Sequence, residues 1–318
     1  MTPPPAIPAP VIRTATPADE PALYALWSRC FGDAPHLPAL YALDDSRHHR
    51  TFVAAGHDGT LDAVVVHVPR TVRDAHGAPH RIGGIGSVAT RPEARGRGLV
   101  RALLAEATAT MMREGCGWSL LFTGTPGVYE SSGWRTFARP YAEGPLAAVP
   151  EGPGDVRDAR PVDRASLARL QAADNAHRPL SSVRSADDWR VRVPAWYGPD
   201  TLQLVTEDGA GGLNGWLVAR IVDGTAEVLE AAVATDDRLG VLYEGLAVRA
   251  HAAGAVRART RLPATPGAER ALPRLLRADA VIRGTDTTGM YRPLLTPART
   301  VERTLNAPGA AHWYGDSF

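Results

Sequence analysis

Lysine is missing from this sequence, and all 35 basic residues are arginine. A Walker phosphate-binding loop uses a lysine to reach the phosphates, and a Schiff-base enzyme uses a lysine amine, so both classes are excluded. No lysine of the chain can be its own acetylation target either. The basic residues are balanced by 34 acidic ones, which leaves a net charge of +1. Without a basic excess, we expect neither nucleic acid nor a membrane surface as a partner.

Cysteine and long apolar runs are also scarce. Cys30 and Cys116 are the two cysteines of the chain, too few for a disulfide framework and too far apart for a CxxC metal pair. We therefore expect no metal and a reducing, cytoplasmic environment. No apolar run approaches the ~18 residues of a membrane-spanning helix. Residues 1–10 hold five prolines and no basic residue, so we expect a disordered lead-in rather than a signal peptide.

An internal repeat is present in the 318 residues, a length that suits two domains of about 150 residues each. Residues 12–23 can be laid over 156–167, where Arg, Ala, Pro, Asp and Leu coincide at an offset of 144. The tripeptide Val-Ala-Thr at 88–90 recurs at 233–235, an offset of 145. Two matches at nearly one offset indicate a duplication.

Each copy begins with a short strand, a turn and a helix, for which Asp19 or Asp163 is the predicted N-cap. In the first copy, hydrophobic periodicity predicts strands near 51–55, 61–70, 80–90 and 118–123, and helices at 19–30, 98–114 and 127–132. In the second copy, it predicts strands near 201–206, 214–221 and 226–234, and helices at 163–175, 185–192 and 238–253. The expected fold class is α/β, with two tandem domains, each a mixed twisted β-sheet flanked by helices.

The predicted domain limits follow the glycines and prolines. Residues 144–153 are rich in both and are the expected linker. The first domain is then 11–143, the second 154–298, and a C-terminal tail follows at 299–318.

The stretch around residues 83–104 carries most of the chemical signal. A strand ends near Thr90, Pro92 interrupts it, and Arg-Gly-Arg-Gly at 95–98 leads into a helix. Glycines before a helix leave its first N–H groups free to converge on an anion, which the helix dipole also favours. With arginines at 95, 97 and 101, the pattern predicts a diphosphate-binding turn. The alternative is an ordinary glycine-capped connection with solvated arginines. The GxGxxG turn of a Rossmann fold is not found.

Together with a second motif, this stretch resembles the GCN5-related N-acetyltransferase (GNAT) family. The family pattern Val-x-x-x-Pro-x-x-Arg-Gly-x-Gly corresponds to Val88, Pro92 and residues 95–98, and Tyr-Glu-x-x-Gly-Trp corresponds to residues 129–134. The resemblance covers about 11–143 well and 155–295 weakly. It implies two GNAT-like domains, the second one degenerate.

A finer resemblance is to the Eis (enhanced intracellular survival) group. The family usually has Gly or Ala two residues after the last loop glycine, whereas this chain has Val100. A bulky residue there and a second degenerate GNAT domain are similar to Eis proteins, which acetylate aminoglycosides and add a sterol-carrier-like domain. This chain is too short for that third domain, which leaves substrate and oligomeric state open, a homo-oligomer included.

The resemblance implies a binding site for acetyl-CoA or another acyl-CoA. Residues 88–90 would offer strand edges to the pantetheine arm, the loop at 95–101 would hold the pyrophosphate, and Gly124 and Thr125 would flank the thioester. These residues are Val88, Ala89, Thr90, Arg95, Gly96, Arg97, Gly98, Leu99, Val100, Arg101, Gly124 and Thr125.

The resemblance also implies catalytic residues. Tyr129 matches the general acid that protonates the departing CoA thiolate; the alternative is a packed aromatic with a satisfied hydroxyl. Phe318 ends the sequence, and in the Eis group a terminal Phe carboxylate is placed at the site as the base; the alternative is a frayed terminus. Asp33, with Asp44 and Asp45, follows the first helix, where the amine acceptor usually enters, and is the predicted substrate-binding residue.

We therefore expect an acyl-CoA-dependent N-acyltransferase, with acetyl-CoA favoured, that acts on a primary amine of a small molecule such as an aminoglycoside or amino sugar. A long-chain N-acyltransferase of glycopeptide-antibiotic amino sugars is the first alternative, and a non-catalytic CoA-binding regulator is the second. In the second copy, Asp236 and Asp237 replace the glycine loop and would repel a diphosphate. That copy is expected to complete the acceptor pocket rather than to bind CoA.

Overall fold

The computed structural model describes residues 10–32, 34, 36–56, 59–150 and 154–318. Its strands are β1 Val11–Thr14, β2 Thr51–Ala55, β3 Leu61–Arg73, β4 Pro79–Thr90, β5 Trp118–Phe122, β6 Arg135–Thr136, β7 Arg139–Pro145, β8 Arg157–Asp158, β9 Thr201–Glu207, β10 Leu213–Val222, β11 Thr225–Val233, β12 Arg257–Thr260, β13 Ile282–Asp286 and β14 Gly289–Pro293. Its α-helices are α1 Glu20–Phe31, α2 His36–Tyr41, α3 Leu99–Arg113, α4 Gly127–Glu130, α5 Arg164–Asp174, α6 Val193–Trp196, α7 Asp236–Ala252, α8 Pro266–Ala271 and α9 Ala298–Leu305.

The strands form two seven-stranded mixed sheets. The first has the order β1-β2-β3-β4-β5-β14-β6, and the second has the order β13-β7-β12-β11-β10-β9-β8. In each sheet one central pair is parallel, β4 with β5 and β11 with β12, because a helix (α3 or α7) crosses between the two strands. The predicted fold class is confirmed.

The apolar face of helix α3, which the sequence pattern predicts, packs against the first sheet. Leu99, Leu103, Ala107 and Met111 recur at helical spacing and are all buried against the first sheet. Gly83 of β4 lies under this face, where a Cβ would come within 2.5 Å of the Met111 sulfur. The helix therefore lies close to the strand that leads into the glycine loop.

The two sheets exchange strands. β7 comes from the first half of the sequence but pairs with β12 and β13 in the second sheet. β14 comes from the second half and lies between β5 and β6 in the first sheet. Gly144 and Pro145, which were predicted to begin the linker, are thus the end of β7. The predicted domain limits themselves stay a prediction.

The duplication is visible in one repeated contact. Arg13 and Asp19 form an ion pair at 2.7 Å, and so do Arg157 and Asp163, 144 positions later. Each aspartate also accepts the N–H of the residue three positions before it, at 2.7 Å. Asp19 and Asp163 are the N-cap residues of α1 and α5, as predicted, but neither side chain caps its helix, because each carboxylate turns back to its arginine and closes a 3-10 turn. The guanidinium of Arg13 holds the pKa of Asp19 well below its usual range.

The C-terminal segment lies between the two halves. The Trp313 indole N–H donates to the Asn175 side-chain oxygen at 2.9 Å, and the Gly315 N–H donates to the Tyr197 hydroxyl at 2.9 Å. These bonds hold residues 313–316 in place, so this segment is not frayed.

No helix in the described ranges is both long and apolar enough to cross a membrane. In the same part of the chain, no group of three or more His, Cys, Asp or Glu side chains is arranged to hold a metal ion.

Candidate active site

A wedge opens between β4 and β5. Their parallel pairing runs from Ile82 with Trp118 to Ile85 with Leu121 and goes no further. Beyond it, β4 continues along β3 to Thr90, whereas Phe122 ends β5 and pairs with Gly289 of β14. The β4 edge at residues 86–90 is therefore open on the side that faced β5, and no strand pairs with it there.

A bulge in β4 bends the strand at this point. The register with β3 shifts between Val64 and Val66, and Ser87 adopts a φ of 51°. The Trp27 indole N–H donates to the Ser87 carbonyl at 2.9 Å. Because a non-glycine residue in this conformation is strained, the bond from α1 helps to hold the bulge next to the wedge.

The glycine loop has the conformation that anion binding requires. Gly96 and Gly98 have φ values of 75° and 72°, a region that residues with a Cβ rarely enter. The N–H of Ala102 bonds the Gly98 carbonyl at 3.2 Å, so the earlier N–H groups of the turn have no partner within the helix. At Gly96, a Cβ would meet nothing within 4 Å. The turn is therefore open and accommodates a bulky anion.

The loop borders a cavity of about 900 Å³. Eleven of the twelve predicted CoA residues line it, all except Gly124. A chain-like ligand with a diphosphate fits this shape: an open strand edge lies at one end and the helix N-terminus at the other. The other residues that line it are Cys30, Phe31, Ala94, Val128, Tyr129 and Ser131.

The three loop arginines are not equivalent. Arg97 pairs with the buried Asp62 at 3.1 Å, and Arg91 pairs with the same carboxylate at 2.5 Å. Among the described side chains, Arg95 and Arg101 form no salt bridge, and both are exposed. The two exposed arginines are thus free to pair with phosphate, while Arg97 fixes the loop to β3.

Tyr129 lies on α4 at the wall of the same cavity. Its side chain is buried, with the ring edge-on to Trp134 at a centroid distance of 6.5 Å. Burial raises the pKa of Tyr129, against a smaller opposing effect from the Thr123 hydroxyl. The phenol therefore keeps its proton through the neutral range, as a general acid requires.

Phe318 lies on the other face of the same strand. Ile85 packs into the α3 core, and its neighbours Gly84 and Gly86 face the opposite way. A Cβ at Gly84 would come within 2.0 Å of the Phe318 ring, and one at Gly86 within 2.5 Å of the Phe318 carboxyl carbon. Only glycine leaves room for this group against the strand. The Phe318 carboxyl group thus lies beside the wedge, across β4 from the glycine loop.

Arg70 supports the segment that ends in Phe318. It is buried and forms no ion pair in the described parts of the chain; one guanidinium nitrogen donates to the Ser317 carbonyl at 3.1 Å. Its guanidinium carbon lies 5.8 Å from the centre of the Phe318 ring. Burial lowers the pKa of Arg70 to about 9. Nothing in the sequence marks this one of 35 arginines.

The second half has no equivalent loop. β11 ends at Val233 and α7 begins at Asp236, so two residues make the connection that takes eight in the first half. Asp236 pairs with Arg270 at 2.8 Å. That this half does not bind CoA stays a prediction, with the missing loop as its basis.

β11 and β12 also separate, after Val228 and Thr260, and the space beyond this second wedge is occupied by the chain itself. The buried Arg184 lies between Glu230 of β11, at 2.7 Å, and Asp316, at 2.8 Å. The Tyr197 hydroxyl donates to the same Glu230. This buried network, residues 184, 197, 230 and 316, anchors the segment that carries Phe318.

Asp33, the predicted acceptor residue, lies outside the described residues. Asp44 accepts bonds from the Ser46 N–H at 2.9 Å and the Ser46 hydroxyl at 2.7 Å. It also faces a small cavity beside Phe318.

Comparisons with known proteins agree with this geometry. Residues 11–137 match the family model described as an acetyltransferase (GNAT) domain. A comparison with curated protein sequences gives no match. A solved structure from Enterococcus faecalis, a conserved protein of unknown function described as a probable N-acyltransferase, is 17% identical, with a TM-score of 0.72 over 91% of this chain and 73% of that one.

Two further structures have the same overall fold. Eis1 from Mycobacterium abscessus is 15% identical, with a TM-score of 0.61 over 90% of this chain and 74% of that one. The N-myristoyltransferase of Saccharomyces cerevisiae with bound myristoyl-CoA is 11% identical, with a TM-score of 0.60 over 92% of this chain and 80% of that one. The expected likeness to an Eis protein is confirmed at the level of the fold.

Proposed function

We propose that this chain, whose residues 11–137 match the acetyltransferase (GNAT) domain, is an acyl-CoA-dependent N-acyltransferase. The acyl group of an acyl-CoA, with acetyl-CoA favoured, passes to a primary amine of a small molecule. The observation that carries the proposal is the position of the wedge. It has an open glycine loop on one side of β4 and the Phe318 carboxyl group on the other.

We assign two groups of residues to two different parts of the acyl-CoA donor. Residues 88–90 and Thr125 border the part of the cavity nearest the wedge, and we assign them to the pantetheine arm and thioester. Residues 95–101 surround the helix N-terminus, and we assign them to the diphosphate. Acyl-CoA supplies the activated acyl group as a thioester. Gly124 is exposed and does not border the cavity, so its predicted contact has the weakest support.

Two residues handle protons in this proposal. The Phe318 carboxylate takes a proton from the ammonium form of the acceptor, which frees the nitrogen lone pair. The nitrogen forms a bond to the thioester carbon, the carbon–sulfur bond breaks, and Tyr129 gives its proton to the sulfur. The nitrogen loses its second proton as the amide forms, and this proton restores the Tyr129 phenol. Two observations support these roles: the buried Tyr129 phenol keeps its proton, and Phe318 lies beside the open strand edge.

The acceptors named from the sequence, aminoglycosides and amino sugars, remain candidates. So does a longer acyl donor. A structure of the same fold holds myristoyl-CoA, and at Gly124 and Gly127 a Cβ would meet nothing within 4 Å.

The direct test measures transfer. Acetyl-, octanoyl- and decanoyl-CoA are each incubated with pooled primary amines, while free thiol and the mass of every amine are followed. The expected result is thiol release matched by acylation of one class of amine. Tyr129→Phe is expected to lower kcat by about 100-fold while CoA still binds.

The alternative is a CoA-binding regulator without turnover. Unmutated protein that binds CoA tightly, yet acylates no amine with any donor, would support it and overturn the catalytic proposal. Equal turnover by the unmutated protein and Tyr129→Phe would keep the enzyme and remove the assigned acid.

A further inference from the structure

A cavity of about 610 Å³ lies between the two halves, and we refer to it as the central cavity. Both wedges contribute to it, because Phe122 ends β5 on one side and Leu229 belongs to β11 on the other. Ser317, the neighbour of Phe318, also borders it. Pro140 and Pro308 at its margin are exposed, so it is open to solvent. The central cavity therefore joins solvent to the face of the first sheet where Phe318 lies.

The charge of the central cavity differs from that of the whole chain. Arg139, Arg220 and Arg261 border it together with one carboxylate, Asp286, whereas the sequence has 35 basic and 34 acidic residues. A cavity lined mainly by one sign of charge concentrates ligands of the opposite sign.

Two of these arginines share their only ion-pair partner among the described side chains. Arg139 reaches Asp286 at 2.7 Å and Arg261 reaches it at 3.2 Å. One carboxylate cannot balance two guanidinium groups, so this pair keeps an excess positive charge. Arg220 is bound to Glu227 at 2.6 Å and lies over the Tyr314 ring at 5.1 Å, which fixes its direction.

Burial strengthens the attraction of this positive charge for an anion. The Arg139 guanidinium stacks over the Phe122 ring at 4.3 Å, and burial lowers its pKa. A cation taken out of water gains most from an anionic partner, because less solvent screens the interaction. Arginine also offers paired N–H groups that match carboxylate and phosphate oxygens.

A smaller cavity on the other side of Phe318 also has more arginines than carboxylates. Arg47, Arg70 and Arg192 border it together with two residues that carry a carboxylate, Asp44 and the C-terminal Phe318. Its volume is about 60 Å³, which is too narrow for a sugar ring. Both cavities beside Phe318 thus disfavour a polycation, and the central cavity has the room for an acceptor.

We propose that the central cavity binds an anionic group, a carboxylate or a phosphate, carried by the amine acceptor. The acceptor is then an amine with a negative charge on the same molecule rather than a polycationic aminoglycoside. The identification of the ligand as the acceptor rests on the proposed function, while the binding of an anion does not.

The test uses matched amines with acetyl-CoA. Glucosamine is compared with glucosamine 6-phosphate, and glycinamide with glycine; kanamycin serves as the polycation. We expect kcat/KM to be at least about tenfold higher for the anionic member of a pair. The pair with the larger ratio shows whether phosphate or carboxylate is preferred. Ratios near one, or a preference for kanamycin, would overturn the proposal.

Substitutions locate the effect. Arg261→Gln and, separately, Arg220→Gln should bring the ratio of anionic to neutral acceptor close to one. The matched control is Arg283→Gln, because Arg283 is exposed, pairs with Glu269 at 2.5 Å and lies outside the cavity. A ratio that survives both cavity substitutions, in variants with unchanged circular dichroism, would contradict the assignment.

Binding without turnover separates this inference from the proposed function. With CoA saturating and no acyl donor present, glucosamine 6-phosphate is titrated by calorimetry into the unmutated protein and Arg261→Gln. Binding that Arg261→Gln abolishes, without acyl transfer to any amine, supports the anion site and removes the proposed reaction. Acylation of amines, with equal binding of glucosamine 6-phosphate to the two proteins, would support the proposed reaction and exclude the anion site.

Discussion

The two halves share one sheet architecture but differ in the space beyond the central parallel strand pair, which is open in the first half and filled in the second. In the first half, β4 and β5 separate into a wedge that borders an open cavity of about 900 Å³. In the second half, β11 and β12 separate after Val228 and Thr260, and the chain's own Tyr197 and Asp316 lie beyond. The first copy of the fold thus has an open cavity at its wedge, whereas in the second copy the chain's own side chains lie there.

The charges follow the same division. The first wedge has exposed arginines, Arg95 and Arg101, without a described ion-pair partner. The second has Arg184, buried and held by two carboxylates. An exposed and unpaired arginine can attract a charged ligand, whereas a buried and saturated one contributes to structure. The following four variants test this contrast.

Arg184→Met should have the largest effect, on stability. It would leave Glu230 and Asp316 buried without their cation, at a cost of about 3–5 kcal/mol. The measurement is the free energy of unfolding by urea. Arg283→Gln, which breaks an exposed pair, should change it by less than about 0.5 kcal/mol. Equal values for both variants would mean that the buried network does not anchor the second wedge.

Removal of Phe318 should affect catalysis instead. We expect kcat to fall by about 100-fold or more, because the carboxyl group moves away from Gly86 and the general base is lost. The dissociation constant of CoA should stay the same, since the glycine loop is on the other side of β4. Phe318→Leu retains the carboxylate and is the control. Full activity in the truncated protein would exclude Phe318 as the base.

His312 should make the contact between the halves sensitive to acid. It stacks between Phe122 and Phe318 at 5.3 Å from each, and burial lowers its pKa to about 4. Asp316 opposes this shift, whereas the charges of Arg139 and Arg70 add to it. Because an unfolded histidine titrates near 6.5, the unfolded state binds more protons between about pH 4 and 6.5.

Stability should therefore fall as the pH drops through that window, by about 2 kcal/mol between pH 7 and 5 for this one group. His312→Phe should remove this part of the pH dependence of the unfolding free energy. The exposed His76→Asn is the control and should keep it. An unchanged slope in His312→Phe would show that other groups cause the acid sensitivity.

The smallest effect should come from the loop arginines. Arg95→Gln combined with Arg101→Gln should raise the dissociation constant of CoA about tenfold and weaken its salt dependence. Arg238→Gln, at the start of α7 in the second half, is the matched control and should change neither value. The same loss in the control would mean that both halves bind CoA. Calorimetry at two salt concentrations measures both quantities.

The sequence predicted the regular elements well where the periodicity is strong. β2 has the predicted limits, β4 differs by one residue at its start, and α3 has the predicted buried face. The cavity at the glycine loop also follows from local signals, because the glycines and the strand that precedes them are contiguous in the sequence.

The exchanged strands could not be found this way. β7 reads Arg-Pro-Tyr-Ala-Glu-Gly-Pro, a composition typical of a linker, and it is a strand because β12 and β13 pair with it. The roles of Arg70 and Arg184 could not be predicted for a similar reason. Nothing in the neighbouring sequence distinguishes Arg70 and Arg184, because their surroundings include residues more than a hundred positions away, Ser317 and Asp316.

The strand exchange has a consequence for how the chain acquires its structure. The first sheet begins at Val11 and is completed only when β14 supplies residues 289–293. Contacts between such distant segments are slow to form, and the exposed edge of β5 invites pairing with other chains until β14 arrives. Neither half can finish its sheet without the other. Expressed separately, the two halves should aggregate or require each other for solubility, and during synthesis the N-terminal half must wait for nearly the whole chain.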